Sequence, residues 1–220
     1  VYAPQYAHFK EYFGNTFAGF FSDEPSFGND SGSYDSILGK KDMLLPWSDA
    51  LLPLLSKKMN LPRNETKCLL PLLWAEHPEN KHFIRYAYMD TVSELYRQNF
   101  SLLLGNWCRE HGVEYIGHII EDMNAHMRLG YGAGHYFRAM DGQDMAGCDL
   151  VLNQMIPGIR DMTHTAFVFE NRADPTFYSY TLGKLASSAA HLDEKKKDRA
   201  FCMELECSYV DGSTEIVPTD

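Results

Sequence analysis

Apolar residues along the chain fall into two patterns: short unbroken runs, and longer stretches in which they recur every three or four positions. The runs predict buried strands: Phe17 to Phe21, Glu114 to Ile120, Asp149 to Gln154 and Ala200 to Glu206. The spaced stretches predict helices. One covers Tyr2 to Phe13, and a second runs from a cap at Ser48 or Asp49 to about Met59, where Pro53 would bend or shorten it. The longest runs from His82 to His111, with Ile84, Tyr88, Val92, Leu95, Tyr96, Phe100 and Leu103 along one face and Gly112 as its stop. A fourth covers about Thr176 to His191, and a Gly/Ser/Asp-rich loop is expected from Ser26 to Gly39.

Strands separated by helices imply parallel crossovers, hence an α/β fold with a sheet covered on both faces, in one domain over residues 1–220. Two architectures fit, a doubly wound sheet and part of a (β/α)8 barrel. A dinucleotide-binding sheet carries Gly-x-Gly-x-x-Gly directly after a strand, whereas Gly130-x-Gly132-x-Gly134 stands some ten residues past Ile120 with the wrong spacing. A barrel accounts for polar residues gathering after every strand, because its active site is assembled from strand ends on one face. Four expected strands are half of eight, and 220 residues fall short of the ~250 typical of a barrel.

The formal charge of -10 argues against nucleic-acid binding, which draws on clustered Lys and Arg. The one basic cluster, Lys195-Lys196-Lys197 with Arg199, alternates with Asp193, Glu194 and Asp198 and reads as a solvated turn. No apolar run approaches the ~20 residues of a membrane span, so no membrane partner is expected. Five cysteines without Cys-x-x-Cys spacing read as reduced, mostly buried thiols of a cytoplasmic protein, which makes the three Asn-x-Ser/Thr matches at Asn29, Asn64 and Asn99 fortuitous.

Candidate chemistry lies at the strand ends. Ser22-Asp23-Glu24-Pro25 puts two carboxylates where the first strand yields to a loop, and Glu204 and Glu206 end the last one. Two acidic strand ends suggest acid/base work on a neutral substrate. Glu204 and Glu206 share a face under period-two alternation, so either could supply the second carboxylate. His118, Glu121 and Asp122 after the second strand and Asn153 and Gln154 after the third offer the mixed donors and acceptors that hydroxyl groups need, and Trp47 or Tyr131 could stack on a sugar face. A metal-dependent hydrolase built on His118, Glu121, Asp122 and His126 is an alternative, but the spacing lacks any His-Glu-x-x-His helix. No cofactor is expected, while a structural calcium ion held by carboxylates and carbonyls is compatible with the composition.

Four segments carry a resemblance: Phe17-Ala-Gly-Phe-Phe-Ser-Asp-Glu-Pro25, Trp107 to His118, Gly134 to Gly147 and Leu182-Gly-Lys-Leu-Ala-Ser-Ser188. They resemble a bacterial glycoside hydrolase family related to α-L-rhamnosidases. The resemblance implies a partial TIM barrel corresponding to strands four to seven, a carbohydrate substrate, and the remaining barrel strands on a longer parent chain as partner. It also implies Glu24 as general acid and, counting back from Tyr209, Glu204 as nucleophile or base, with Asp23 a sugar-binding neighbour. The chain departs from the family after Glu204, where Glu206-Cys207-Ser208 and Val210-Asp211 stand in place of Phe-Gly-Ala and Gly-Trp. A degenerate barrel that binds carbohydrate without cleaving it is therefore the alternative within this family.

Overall fold

The computed structural model describes residues 1–28, 38–76, 81–119, 128–130, 132–155, 181–208 and 213–216, with the backbone alone at 151–155, 182, 203–208, 214 and 216. The described residues form a mixed α/β arrangement with two small sheets. Its elements are α1 (Tyr2–Phe9), β1 (Gly19–Ser22), α2 (Leu51–Met59), α3 (Arg63–Leu69), α4 (Lys81–Tyr96), α5 (Leu102–Glu110), β2 (Glu114–Gly117), α6 (Tyr136–Met140), β3 (Ala146–Met155), α7 (Leu182–Leu192), β4 (Ala200–Ser208) and β5 (Thr214–Ile216). Among the described residues no helix is long and apolar enough to cross a membrane.

β1 pairs with β2 in parallel, with Ser22 beside Gly117, and β3 pairs with β4 in parallel, with Gly147 beside Phe201. The two sheets meet edge to edge. Asp144 ties them together, since its amide donates to the Tyr115 carbonyl (2.7 Å) and its carboxylate accepts from the Tyr115 amide (2.8 Å). Three residues past Asp144, a Cβ at Gly147 would stand 2.1 Å from the carbonyl oxygen of Gly117, itself two past Tyr115, so only glycine lets these backbones approach so closely. Both contacts advance together along the two strands, so β2 and β3 run in the same direction and the spatial order is β1, β2, β3, β4. Arg199, just before β4, closes the same end with a two-pronged bond to Glu114 at the start of β2 (2.7 and 3.1 Å).

The rings of Phe21 on β1 and Phe201 on β4 meet across one face with centroids 6.3 Å apart, and the tip of the Phe201 ring reaches over Gly147, where a side chain would block it. β5 adds to β4 in antiparallel fashion, a hairpin-like addition that the purely parallel expectation did not include.

The long helix holds, with a correction in the middle. Residues Arg97–Ser101 form a π turn between α4 and α5. The buried face runs Ile84, Tyr88, Val92, Tyr96, then jumps five positions to Ser101 before resuming at Gly105 and Cys108. A π turn adds one residue and rotates everything after it, so Leu103, expected on the buried face, is 60% exposed. The hydroxyl of Ser101 fills the gap, donating to the Ala139 carbonyl (2.5 Å) and accepting from the Gly142 amide (2.9 Å).

Other expectations shift modestly. Pro53 falls in the first turn of α2, where its missing N–H costs nothing, so the helix reaches Met59 unbroken. No side-chain cap bond starts α2, so neither Ser48 nor Asp49 acts as its cap. The basic turn is corrected more sharply. Lys196 is 1% exposed, its ammonium donating to the Gln143 carbonyl (2.6 Å) and to Asp193 (2.8 Å). Cys68 is exposed, Cys202 half-buried, and Cys108 and Cys148 are buried.

Candidate active site

β1, β2, β3 and β4 present their carboxyl ends on one side, so the residues just past the Ser22–Gly117–Gly147–Phe201 level share one face. On β1 these are Asp23 and Glu24, on β2 His118, on β3 Asp149, and on β4 the backbone of Glu204.

Glu24 is half-buried and has φ 42°, in the left-handed region that non-glycine residues rarely occupy. Such a residue stores ~1–3 kcal/mol and persists only where its surroundings hold it. They do so on the downstream side through Tyr96, the last residue of α4. Its hydroxyl donates to the Pro25 carbonyl (3.1 Å), and its ring meets Phe27 edge-on at 5.3 Å. Burial, with a smaller contribution from Tyr115, raises the Tyr96 pKa well above the ordinary phenol value, so this clamp is a neutral donor across the working pH range. The amide of Gly28 then donates to the Gly130 carbonyl (3.3 Å).

On the upstream side Asp23 leaves 77% of its side chain exposed while one oxygen lies 3.1 Å from Nε2 of His118. His118 itself is 2% exposed. Its Nδ1 lies 2.7 Å from the Ile119 carbonyl oxygen, and Asp149 Oδ2 approaches Nε2 at 4.0 Å, an ion-pair distance rather than a hydrogen bond. A carbonyl oxygen can only accept, so the Ile119 contact calls for hydrogen on Nδ1. Phe21 covers the ring at a centroid distance of 5.8 Å.

The structure thus brings together Asp23, Glu24 and His118 from the sequence-based set. Glu121 and Asp122 lie outside the described residues, as do His126 and Tyr131. Asn153 and Gln154 fall near the far end of β3, and Glu204 and Glu206 fall within β4; their backbones alone are described. The register steps from Cys148 beside Cys202 to Leu150 beside Leu205, so two residues of β3 face three of β4 and the extra one falls at Met203–Glu204. A bulge there interrupts the alternation on which the shared face of Glu204 and Glu206 was argued, and bulges commonly re-aim a side chain beside an active site. Trp47 is 48% exposed but lies outside this strand-end cluster. Asp141 and Asp144 serve as braces, Asp141 to Arg97 and Lys195, Asp144 to Tyr115 and to Arg109 (2.9 Å).

Sequence reasoning missed Asp149, Tyr96 and the pair Phe21 and Phe201. Asp149 did leave a signal, as an acid within an apolar strand run that is 8% exposed in the fold, and buried acids are rare without a task. Among the described residues no group of three or more His, Cys, Asp or Glu side chains is arranged to hold a metal ion, and of the proposed metal set only His118 is described. No known family model, curated protein or solved structure matches the chain.

Proposed function

We propose that the chain is part of the catalytic (β/α)8 barrel of a glycoside hydrolase, in which Glu24 protonates the leaving glycosidic oxygen and Glu204 acts as nucleophile or as base for water. One observation carries the reading. On four strands running in one direction, the backbones of Glu24 and Glu204 stand two and three positions past a shared register level, on the first and the last of the four, and the side chains of Phe21 and Phe201 from those two strands meet between them. Two carboxyl groups flanking a cleft are what glycosidic cleavage requires. As the bond between the anomeric carbon and the leaving oxygen breaks, its electron pair goes to that oxygen, which takes the proton of Glu24. The positive charge developing on the sugar is met by the second carboxylate or by water that it deprotonates. The exposed side of Asp23 is suited to accept from a sugar hydroxyl.

Nitrophenyl glycosides, the α-L-rhamnoside first, test the assignment in the intact parent protein, in which the variants are made. Glu24→Gln is expected to lose roughly 10²–10⁴-fold in kcat on an unactivated glycoside. It should lose far less on a 2,4-dinitrophenyl glycoside, whose leaving group departs without a proton. Glu204→Gln should lose activity on both. Wild-type turnover in both variants would refute the two roles. The sequence after Glu204, with Glu206-Cys207-Ser208 and Val210-Asp211 departing from the family pattern, favours a second reading, a degenerate barrel that binds carbohydrate without cleaving it. Saturable sugar binding with no turnover by the intact parent protein would select that reading.

A further inference from the structure

We propose that Asp149 and His118 are positioning residues that fix Asp23 and, through it, the strained turn at Glu24; this rests on reading Glu24 as the proton donor. The turn needs two anchors, because a left-handed glutamate relaxes to ordinary backbone unless both flanks are held. Pro25 is the downstream anchor, held by Tyr96. Upstream, the only described side-chain partner of Asp23 is His118, at 3.1 Å. His118 is suited to hold rather than to bind substrate: at 2% exposure it has no surface for a sugar, and both ring nitrogens are engaged within the protein. The Ile119 carbonyl fixes the ring's rotation and keeps hydrogen on Nδ1, which leaves Nε2 aimed at Asp23. Asp149, rooted in β3, brings Oδ2 to 4.0 Å from Nε2 and confines the ring from a third strand. Three adjacent strands thereby converge on one rotamer of Asp23, the residue bonded to Glu24.

The arrangement differs from a histidine that merely fills the core, and leaving-group dependence separates the two. A loose proton donor slows departure of poor leaving groups and spares good ones, whereas a destabilised fold lowers turnover of every substrate alike. His118→Phe is expected to lower kcat roughly 10- to 100-fold on an unactivated glycoside, with KM within about threefold, and to lose less than threefold on the 2,4-dinitrophenyl glycoside. His118→Gln, which keeps a donor toward Asp23, should recover most of the loss. Asp149→Asn should fall between them. Equal losses on both substrates would overturn the proposal, as would no loss on either. Independently of activity, nitrogen NMR of histidine-labelled protein should find Nδ1 of His118 hydrogen-bearing and its Nε2 resonance displaced by Asp23→Asn, a change at a largely exposed side chain. A resonance indifferent to that change would also overturn it. Full activity of Glu24→Gln on the unactivated glycoside would instead remove the assignment of Glu24 itself, while the resonance would still report whether His118 holds Asp23.

Discussion

Lys196 carries its charge at 1% exposure, where an ammonium survives only with partners. Burial lowers its pKa below the ordinary lysine value, and Asp193 opposes that shift in part. Burial, the largest single influence, would raise the Asp193 pKa, but the bond and charge of Lys196 together with the amide and charge of Lys195 outweigh it and hold the carboxyl below its ordinary range. Asp193→Asn leaves the buried ammonium with neutral acceptors only and should cost on the order of 3 kcal/mol, read as a lower urea midpoint at pH 7. The sign with pH follows from linkage. A depressed folded carboxyl contributes stability that is present above the ordinary value near 4 and lost as pH falls through the folded value. Wild type should therefore lose stability faster than the Asn variant as pH drops below about 4. None of this was legible in a Lys-Lys-Lys run with acids on both sides, because charge runs look alike whether solvated or folded inward. The thiols separate in the same way. Burial first, then the Asp144 carboxylate, pushes Cys108 up to about 11 against the pull of Arg109, while Cys68 is exposed. A thiol reagent at pH 8 should modify Cys68 promptly and Cys108 at least roughly 100-fold more slowly, measured by peptide mass spectrometry.

At the scale of elements, strands were legible wherever an apolar run was short and bounded, and their ends moved by only a few residues. β1 begins at Gly19 rather than Phe17, and β3 at Ala146 rather than Asp149. The π turn was not legible, because one inserted residue leaves composition and spacing almost unchanged while rotating the following face. β5 was missed because three residues carry no periodicity of their own and exist by pairing with β4. Of the candidate site, Asp23, Glu24 and His118 could be found as polar residues at strand ends. The convergence of Asp149 and Tyr96 on them could not, since it depends on strand order and on where α4 stops. Glycine identity tests the strand order directly. Gly147→Ala would drive a methyl to 2.1 Å from the Gly117 carbonyl, a backbone atom that cannot rotate away, and should cost at least about 3 kcal/mol. Gly183→Ala, in α7 with nothing within 4 Å of the added carbon, should instead stabilise by about 0.5 kcal/mol. Urea unfolding of the two variants would expose a wrong strand order if Gly147→Ala were as benign as Gly183→Ala.

For the whole molecule, the strand order has a consequence at the outer edge of β1. Among the described residues β1 pairs only with β2, and Phe21 on its inward face is 38% exposed. An open edge beside an apolar side chain is a template for another strand. Within the proposed barrel that edge meets strands of a longer parent chain, so residues 1–220 on their own should self-associate and lack glycosidase turnover. The formal charge of -10 opposes association at long range and is screened by salt, so association should increase between 20 mM and 500 mM salt, roughly the range over which the Debye length falls below 10 Å. Sedimentation velocity across a hundredfold range of protein concentration would measure this. Ala18→Lys, an exposed position just before β1, puts a charge at the edge and should shift the protein toward monomer. A monodisperse monomer at every concentration, with full turnover of a neutral glycoside, would mean that the edge is covered and the barrel wall is complete without a parent chain.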